Sequence, residues 1–295
     1  ILFAIIFFGG FVISILSFFV NSIDICRILS KISYYWLGLM LYMALGLLIS
    51  LITRFVFKII LKEKYKLNKA QRYTFIFVII FTLLMNTYGI YNGHIIHITK
   101  YQLITDKSVD NLHIAFISDL HLGYNVGLSE VDDMVNKLNE LNPDIVLIGG
   151  DIFDNEYLAI EKPEEMIKLF NNIHSKYGVY TCLGNHDSRE DYDKNHWYDY
   201  MNVGVYSDEK ADGVESVVRD TLDFVFAPEN ANGDVFIFLS QVASDYTATG
   251  YNVTPEQLDW LGEQLEKYKD TTVYLFFHTF LKNLEKDGNF NMGEG

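Results

Sequence analysis

Thiol chemistry is nearly absent from this sequence, which has two cysteines, Cys26 and Cys182, among 295 residues. One lies in an apolar N-terminal stretch and the other in a stretch patterned as a buried strand. Two isolated cysteines supply neither a disulfide framework nor a thiolate metal site. Acidic residues are scarce at the start of the chain. Residues 1–91 hold two acids against nine Lys/Arg, and the remainder holds 36 acids against 14 Lys/Arg. The formal net charge of -15 therefore averages two regions of opposite sign. A region as acidic as 92–295 repels nucleic acid phosphates, so no nucleic acid partner is expected. Bound divalent cations would relieve part of that charge.

Charge of either sign is missing from three stretches, residues 1–20, 34–53 and 73–91, each 19 or 20 residues long. Each can cross a hydrocarbon layer of roughly 30 Å as a helix. A cleaved signal peptide would account for only one of them. No charged residue sits inside a span, so an ion or proton pathway has no candidate, and the spans read as an anchor in the lipid bilayer. The loop between the second and third stretches carries Arg54, Lys58, Lys62, Lys64, Lys66, Lys69 and Arg72 against Glu63 alone. By the positive-inside rule that loop faces the cytoplasm, which predicts an extracytoplasmic location for everything after Tyr91.

Residues 92–111 read as a linker and 112–295 as a separate domain. Residues 113–118 form a β-branched strand pattern that ends in Asp119-Leu-His121. A helical period over 128–141 follows, with Ser129 as the expected N-cap and Pro143 as the stop. Residues 145–148 are a short apolar strand ending in Gly149-Gly150-Asp151-Ile-Phe-Asp154. A helix over 164–174 leads to a third strand over 178–183, which ends in Gly184-Asn185-His186-Asp187. The alternation predicts a parallel sheet covered on both faces. Beyond it, residues 224–226 and 235–239 have strand character, while 207–220 show no clear period. Thr254, Pro255 and Gln257 spell a capped helix start, with Leu258, Leu261 and Leu265 as its expected buried stripe. A last strand over 272–277 ends at His278.

The strand ends thus present Asp119 and His121; Asp151 and Asp154; Asn185, His186 and Asp187; and His278. Ligands collect outside the carboxyl ends of strands in open α/β sheets. Mixed carboxylate, imidazole and amide donors suit divalent Mn, Fe or Zn rather than a closed structural zinc site. Asp151, on the middle strand, is placed to bridge two ions of the kind used in hydrolytic two-metal sites. His113 and His174 read as surface or packing residues, His196 as the one further histidine placed to reach substrate, and Asp187 as a residue that either backs the site or forms a turn, without a catalytic role.

In order and position, Asp-x-His, Gly-Asp-x-x-Asp, Gly-Asn-His-Asp and the later His resemble the calcineurin-like metallophosphoesterase superfamily over about residues 111–280. The resemblance implies a four-layer α/β/β/α sandwich, here preceded by an α-helical transmembrane region, and metal-dependent hydrolysis of phosphate esters. It implies that Asp119 and His121 hold a first metal, that Asp151 bridges, and that Asn185 and His278 hold a second. His186 matches the residue that protonates the leaving oxygen, and Asp154 the carboxylate that orients it. Expected substrates are phosphomonoesters, phosphodiesters or pyrophosphates, with lipid-linked ones favoured by the bilayer. The sequence departs from the pattern at His278-Thr-Phe, where many relatives carry His-x-Pro, and no Gly-His-x-His follows, so the chain reads as a fragment lacking further ligands. The contrasting expectation is a membrane-anchored domain that has lost catalysis and serves in binding or scaffolding.

Overall fold

The computed structural model describes residues 2–17, 19–20, 22–61, 67–102, 112–154, 159–184, 186–187, 214–218, 223–227, 234–240 and 254–278. The chain forms two compact units, Ile1–Thr99 and Lys100–Gly295.

The first unit is helical: α1 (Leu2–Leu16), α2 (Ile23–Leu61) and α3 (Leu67–Gly93). Two helical segments, Ile23–Ile60 and Lys69–Gly93, are long and apolar enough to cross a membrane. The stretch 34–53, expected as a span of its own, is the middle of a continuous 39-residue helix. At 1.5 Å per residue α2 is roughly 58 Å long, about twice a hydrocarbon layer. Its uncharged interval lies between Lys31 and Arg54, so the two ends carry the charge. Helix α1 is 15 residues long and shorter than the expected first span. Between α2 and α3, small residues face large ones. A Cβ on Gly46 would stand 2.9 Å from the Phe81 ring, and one on Gly89 would stand 3.1 Å from the Tyr42 hydroxyl. Close approach of this kind replaces the hydrophobic effect as the source of helix association in lipid.

In the second unit, β1 (Ile114–Ile117), β2 (Ile145–Ile148) and β3 (Val179–Thr181) form a parallel sheet in the order β1-β2-β3. All four residues of β2 are at most 1% exposed, as expected of a central strand covered on both faces. Helices α4 (Leu128–Leu141) and α5 (Pro163–Asn171) connect the strands. Val131, Met134, Val135 and Leu138 give α4 its buried stripe. The N-cap of α4 is Gly127, not Ser129, which lies inside the first turn. Acidic side chains do the capping instead: Glu130 accepts from the Gly127 amide at 3.1 Å and Glu161 from the Leu128 amide at 3.2 Å. Helix α5 ends at Asn171, short of the expected 174, and the His174 amide donates to the Asn139 side chain of α4 at 2.8 Å.

A second sheet runs β4 (Val214–Val218), β5 (Asp223–Phe226), β6 (Val235–Leu239) and β7 (Val273–Phe277), in that order. Its first three strands are antiparallel, and β7 joins β6 in parallel after α6 (Pro255–Lys267). The period of two along β5 and β6 sorts the faces. Phe224, Phe226, Phe236 and Phe238 share a core with the first sheet, while Val225, Val235, Ile237 and Leu239 share another with Leu261 of α6. Helices, sheet, sheet and helix therefore stack as four layers, the α/β/β/α sandwich that the resemblance implied. Phe224 and Phe238 stack at 4.3 Å between centroids in the inner core.

The face of α6 differs from the expected stripe. Leu258 and Leu265 are 48% and 42% exposed, and the buried residues are Gln257, Leu261 and Gln264. The cap is as expected: the Thr254 hydroxyl accepts from the Gln257 amide at 3.2 Å, and the Gln257 side chain accepts from the Thr254 amide at 2.9 Å. Gln257 turns inward because a buried carboxylate awaits its amide group. Hydropathy spacing carries no trace of that partner.

Candidate metal centre

The parallel sheet delivers its chemistry where β1 and β2 stop. Past their last paired residues the two chains stay in register through hydrogen bonds from Asp119 N to Gly150 O (3.0 Å), His121 N to Asp151 O (3.0 Å) and Leu122 N to Ile152 O (2.7 Å). Regular strand geometry is abandoned all the same. Asp119, His121 and Asp151 have φ of 57°, 46° and 51°, in the left-handed region that side chains other than glycine seldom enter. Non-glycine residues held there cluster at ligand sites, where the surrounding structure holds the strain in place. Gly150, at φ 88°, allows the β2 chain to press against the loop after β3: a Cβ there would stand 2.5 Å from Gly184 N. A Cβ on Gly184 would in turn run into the Asp151 carboxylate.

Asp151 is the hub. Its carboxylate is 2% exposed; Oδ1 accepts from the His186 amide at 2.8 Å, and Oδ2 lies 3.2 Å from His278 Nε2 and 3.7 Å from His121 Nε2. Donor atoms of His121, Asp151 and His186 lie within 4.8 Å of one another, and so do those of Asp119, Asp151 and His278. Asp151 belongs to both groups. Asp119 Oδ1 and His121 Nε2, expected to share a metal, are 3.9 Å apart, and Asp119 also groups with Asp151 and His278. The His121 and His186 rings meet edge to face at 4.9 Å.

These donors fit divalent metal. The His278 Nδ1 is 2.8 Å from the Gly149 carbonyl, which accepts its proton and leaves Nε2 to face the shared carboxylate. A backbone carbonyl behind the far ring nitrogen is the usual way to orient a metal-binding histidine. Ser118 Oγ donates to Asp119 Oδ2 at 2.5 Å and orients that carboxylate likewise.

Electrostatics agree with the geometry. Burial pushes the Asp151 carboxyl up, but hydrogen bonds from the His278 ring and the His186 amide, with the charge of both imidazoles, outweigh it and hold the group below the usual carboxylate value. The hydrogen bond to Asp151 raises His278 to about 9 against the effect of burial. Burial drives the Cys182 thiol up to about 12.

Asp154 is half-buried, its amide donates to Leu122 O at 3.1 Å, and its Cβ lies where a side chain on Gly123 would stand 3.1 Å away. Asn185 lies outside the described residues. Of the two readings of Asp187, the structure favours the one that backs the site: at 1% exposure, it accepts from the Gly184 amide at 2.9 Å and the Phe153 amide at 3.1 Å, tying the β2 and β3 loops together. Burial raises its carboxyl to about 6. Its position directly after Asn185-His186 was the one sequence signal available.

The sequence profile of the calcineurin-like phosphoesterase family matches residues 112–292. The chain belongs to that family. A transmembrane protein with metallophosphoesterase domain from Danio rerio is 28% identical over 169 residues, 52% of this chain and 38% of that protein. The Bos taurus protein of the same description is 34% identical over 80 residues, 27% of this chain and 17% of that protein. UDP-2,3-diacylglucosamine pyrophosphatase LpxG from Chlamydia trachomatis is 30% identical over 97 residues, 32% of this phosphoesterase chain and 29% of that protein. The chain therefore spans well under two thirds of the length of these curated relatives. Relatives described as transmembrane proteins match it, and two of its own helices are long and apolar enough to span a bilayer.

Proposed function

We propose that residues 112–295 form a dinuclear metallophosphoesterase domain, joined through a linker at 92–111 to a membrane region at 1–91, and that it hydrolyses a phosphomonoester, phosphodiester or pyrophosphate. The observation that carries the proposal is the place of Asp151 in both donor groups. Asp119, His121, Asp151, Asn185 and His278 are the metal-holding residues of this reading. Divalent ions in such a site supply a nucleophile from water at neutral pH and Lewis acidity toward the phosphoryl oxygens. The chain's own part is to hold the carboxylates ionised and the imidazoles oriented. His186, half-buried beside His121, donates a proton to the departing oxygen, and Asp154 orients it.

The basic residues between the expected second and third spans support an extracytoplasmic domain. Anchoring beside a bilayer, with a pyrophosphatase of a diacylated sugar nucleotide among the relatives, favours a lipid-linked phosphate or pyrophosphate as substrate. The decisive experiment is hydrolysis of an aryl phosphate by the full chain with and without added Mn²⁺. Turnover that needs the metal and is lost in Asp151→Asn and His186→Ala supports the reading. Full activity in both variants would place the chemistry elsewhere, and metal binding without turnover in the wild type would favour a binding domain.

A further inference from the structure

Behind the β3 loop lies a second polar cluster, buried between the second sheet and α6. The Asp223 carboxylate, 0% exposed, accepts from the Ser240 amide at 2.7 Å and from Gln257 Nε2 at 2.9 and 3.0 Å. Gln257 Nε2 also reaches the Ser240 carbonyl at 2.9 Å. Ser240 and Gln257 are 1% and 2% exposed. The cluster reaches the end of β3 through Ser240, whose Oγ accepts from the Leu183 amide at 3.1 Å.

Leu183 immediately precedes Gly184-Asn185-His186-Asp187. Three amides of this short run are held from three directions: Leu183 by Ser240, Gly184 by Asp187, and His186 by Asp151. Of these acceptors, Asp151 belongs to both donor groups and Asp187 to the run itself. The third comes from the far sheet, 57 residues along the chain, and is itself held by a carboxylate and an amide. A buried carboxylate is expensive to desolvate, and an apolar side chain of similar volume would commonly serve stability as well. The start of α6 offsets part of that cost, since its N-terminal dipole favours negative charge and Gln257 is its third residue. What an apolar replacement could not do is hold the Ser240 hydroxyl at a fixed distance from Leu183.

We propose that Asp223, Gln257 and Ser240 are positioning residues for the metal centre: they lock the backbone where the loop leaves β3 at Leu183, and through it set where His186 stands relative to Asp151. The chemistry assigned to the loop rests on the phosphoesterase reading; the locking does not. Loss of the Ser240 acceptor frees the loop at its β3 end without altering any donor of the centre.

The test uses the full chain in detergent as wild type, Ser240→Ala, Ser240→Thr and Asp223→Asn. Hydrogen exchange in the 183–187 amides, EPR titration with Mn²⁺ and hydrolysis of an aryl phosphate are measured side by side. Ser240→Ala is expected to raise exchange in the loop by about tenfold while β2 and β6 keep their protection. It should lower kcat by about tenfold at unchanged KM, because small misplacements of a reacting group are felt in the rate. Ser240→Thr should restore both. Asp223→Asn should loosen the loop in the same direction. Unchanged exchange in Ser240→Ala, or a rise spread evenly over the domain in step with a lower melting temperature, would overturn the proposal. A wild type that neither binds Mn²⁺ nor turns over substrate would sink the phosphoesterase reading instead, and the exchange measurement would still decide whether the loop is locked.

Discussion

His278 Nε2 stands 3.2 Å from Asp151 Oδ2 across the edge where the two sheets meet, although the residues are 127 positions apart. One sheet supplies the carboxylate and the other the imidazole, so the donor group of Asp119, Asp151 and His278 exists only when the sandwich is closed.

The pair predicts how metal-free stability depends on pH. His278 is raised to about 9 from 6.5, so its contribution is fully present below about 6.5 and is lost as pH climbs through 9. Asp151 is held below its ordinary 3.8, so its contribution is present above that value and is lost on acidification. Urea denaturation in a chelator should show wild-type stability falling between pH 6.5 and 9, and His278→Gln should flatten that limb. An identical limb in the variant would refute the assignment.

Metal affinity should depend on charge at the hub. Asp151→Asn keeps the shape and removes the charge shared by both donor groups. Mn²⁺ affinity, read by EPR titration, should drop on the order of a hundredfold, at least as much as is usual for losing a mere outer partner of a ligand. Unaltered binding would mean that the ions, if any, lie elsewhere.

Gly184→Ala should harm both fold and site, because the added methyl meets the Asp151 carboxylate and backbone. Overpacking at such a contact costs about 1–3 kcal/mol. Chemical denaturation measures the stability, and Mn²⁺ binding measures the site. A variant with wild-type values in both would show that the loop has more room than the structure gives it.

Thr254→Ala should destabilise the domain by about 1 kcal/mol through loss of the cap on α6, with Thr254→Ser close to neutral. The comparison of the two separates the hydroxyl from the methyl group. Equal losses would assign the effect to packing.

Topology is open to direct labelling. Cys26 and Cys182 are both buried, so a membrane-impermeant maleimide should report on a new cysteine at the exposed position of Asp133→Cys. Reaction in intact cells is expected from the basic loop before the third span. Reaction only after lysis would invert the orientation.

Much of the phosphoesterase domain was legible because its first strands are short apolar runs and the expected donors come soon after their ends. Residues 145–148 could be read as a buried strand, and Asp151 as its product, from local pattern alone. Strand β4 could not. Its pairing with β5 shifts register between Val214 and Ser216, which breaks the alternation that marks a strand. The stripe on α6 was misjudged for another reason: Gln257 is buried by a carboxylate 34 residues earlier, a tertiary fact that leucine spacing cannot reveal. Asp187 could not be decided between a supporting residue and a turn residue because its two amide partners come from separate loops.

The left-handed backbone at Asp119, His121 and Asp151 also limits how this centre can change. A β-branched residue at any of the three positions would face the backbone's objection before any question of metal arose, whereas glycine and asparagine would meet little. A descendant chain that gave up its donors would thus find its easiest replacements among residues at home in turns. The vacated site would keep the outline of the old one long after its chemistry had gone.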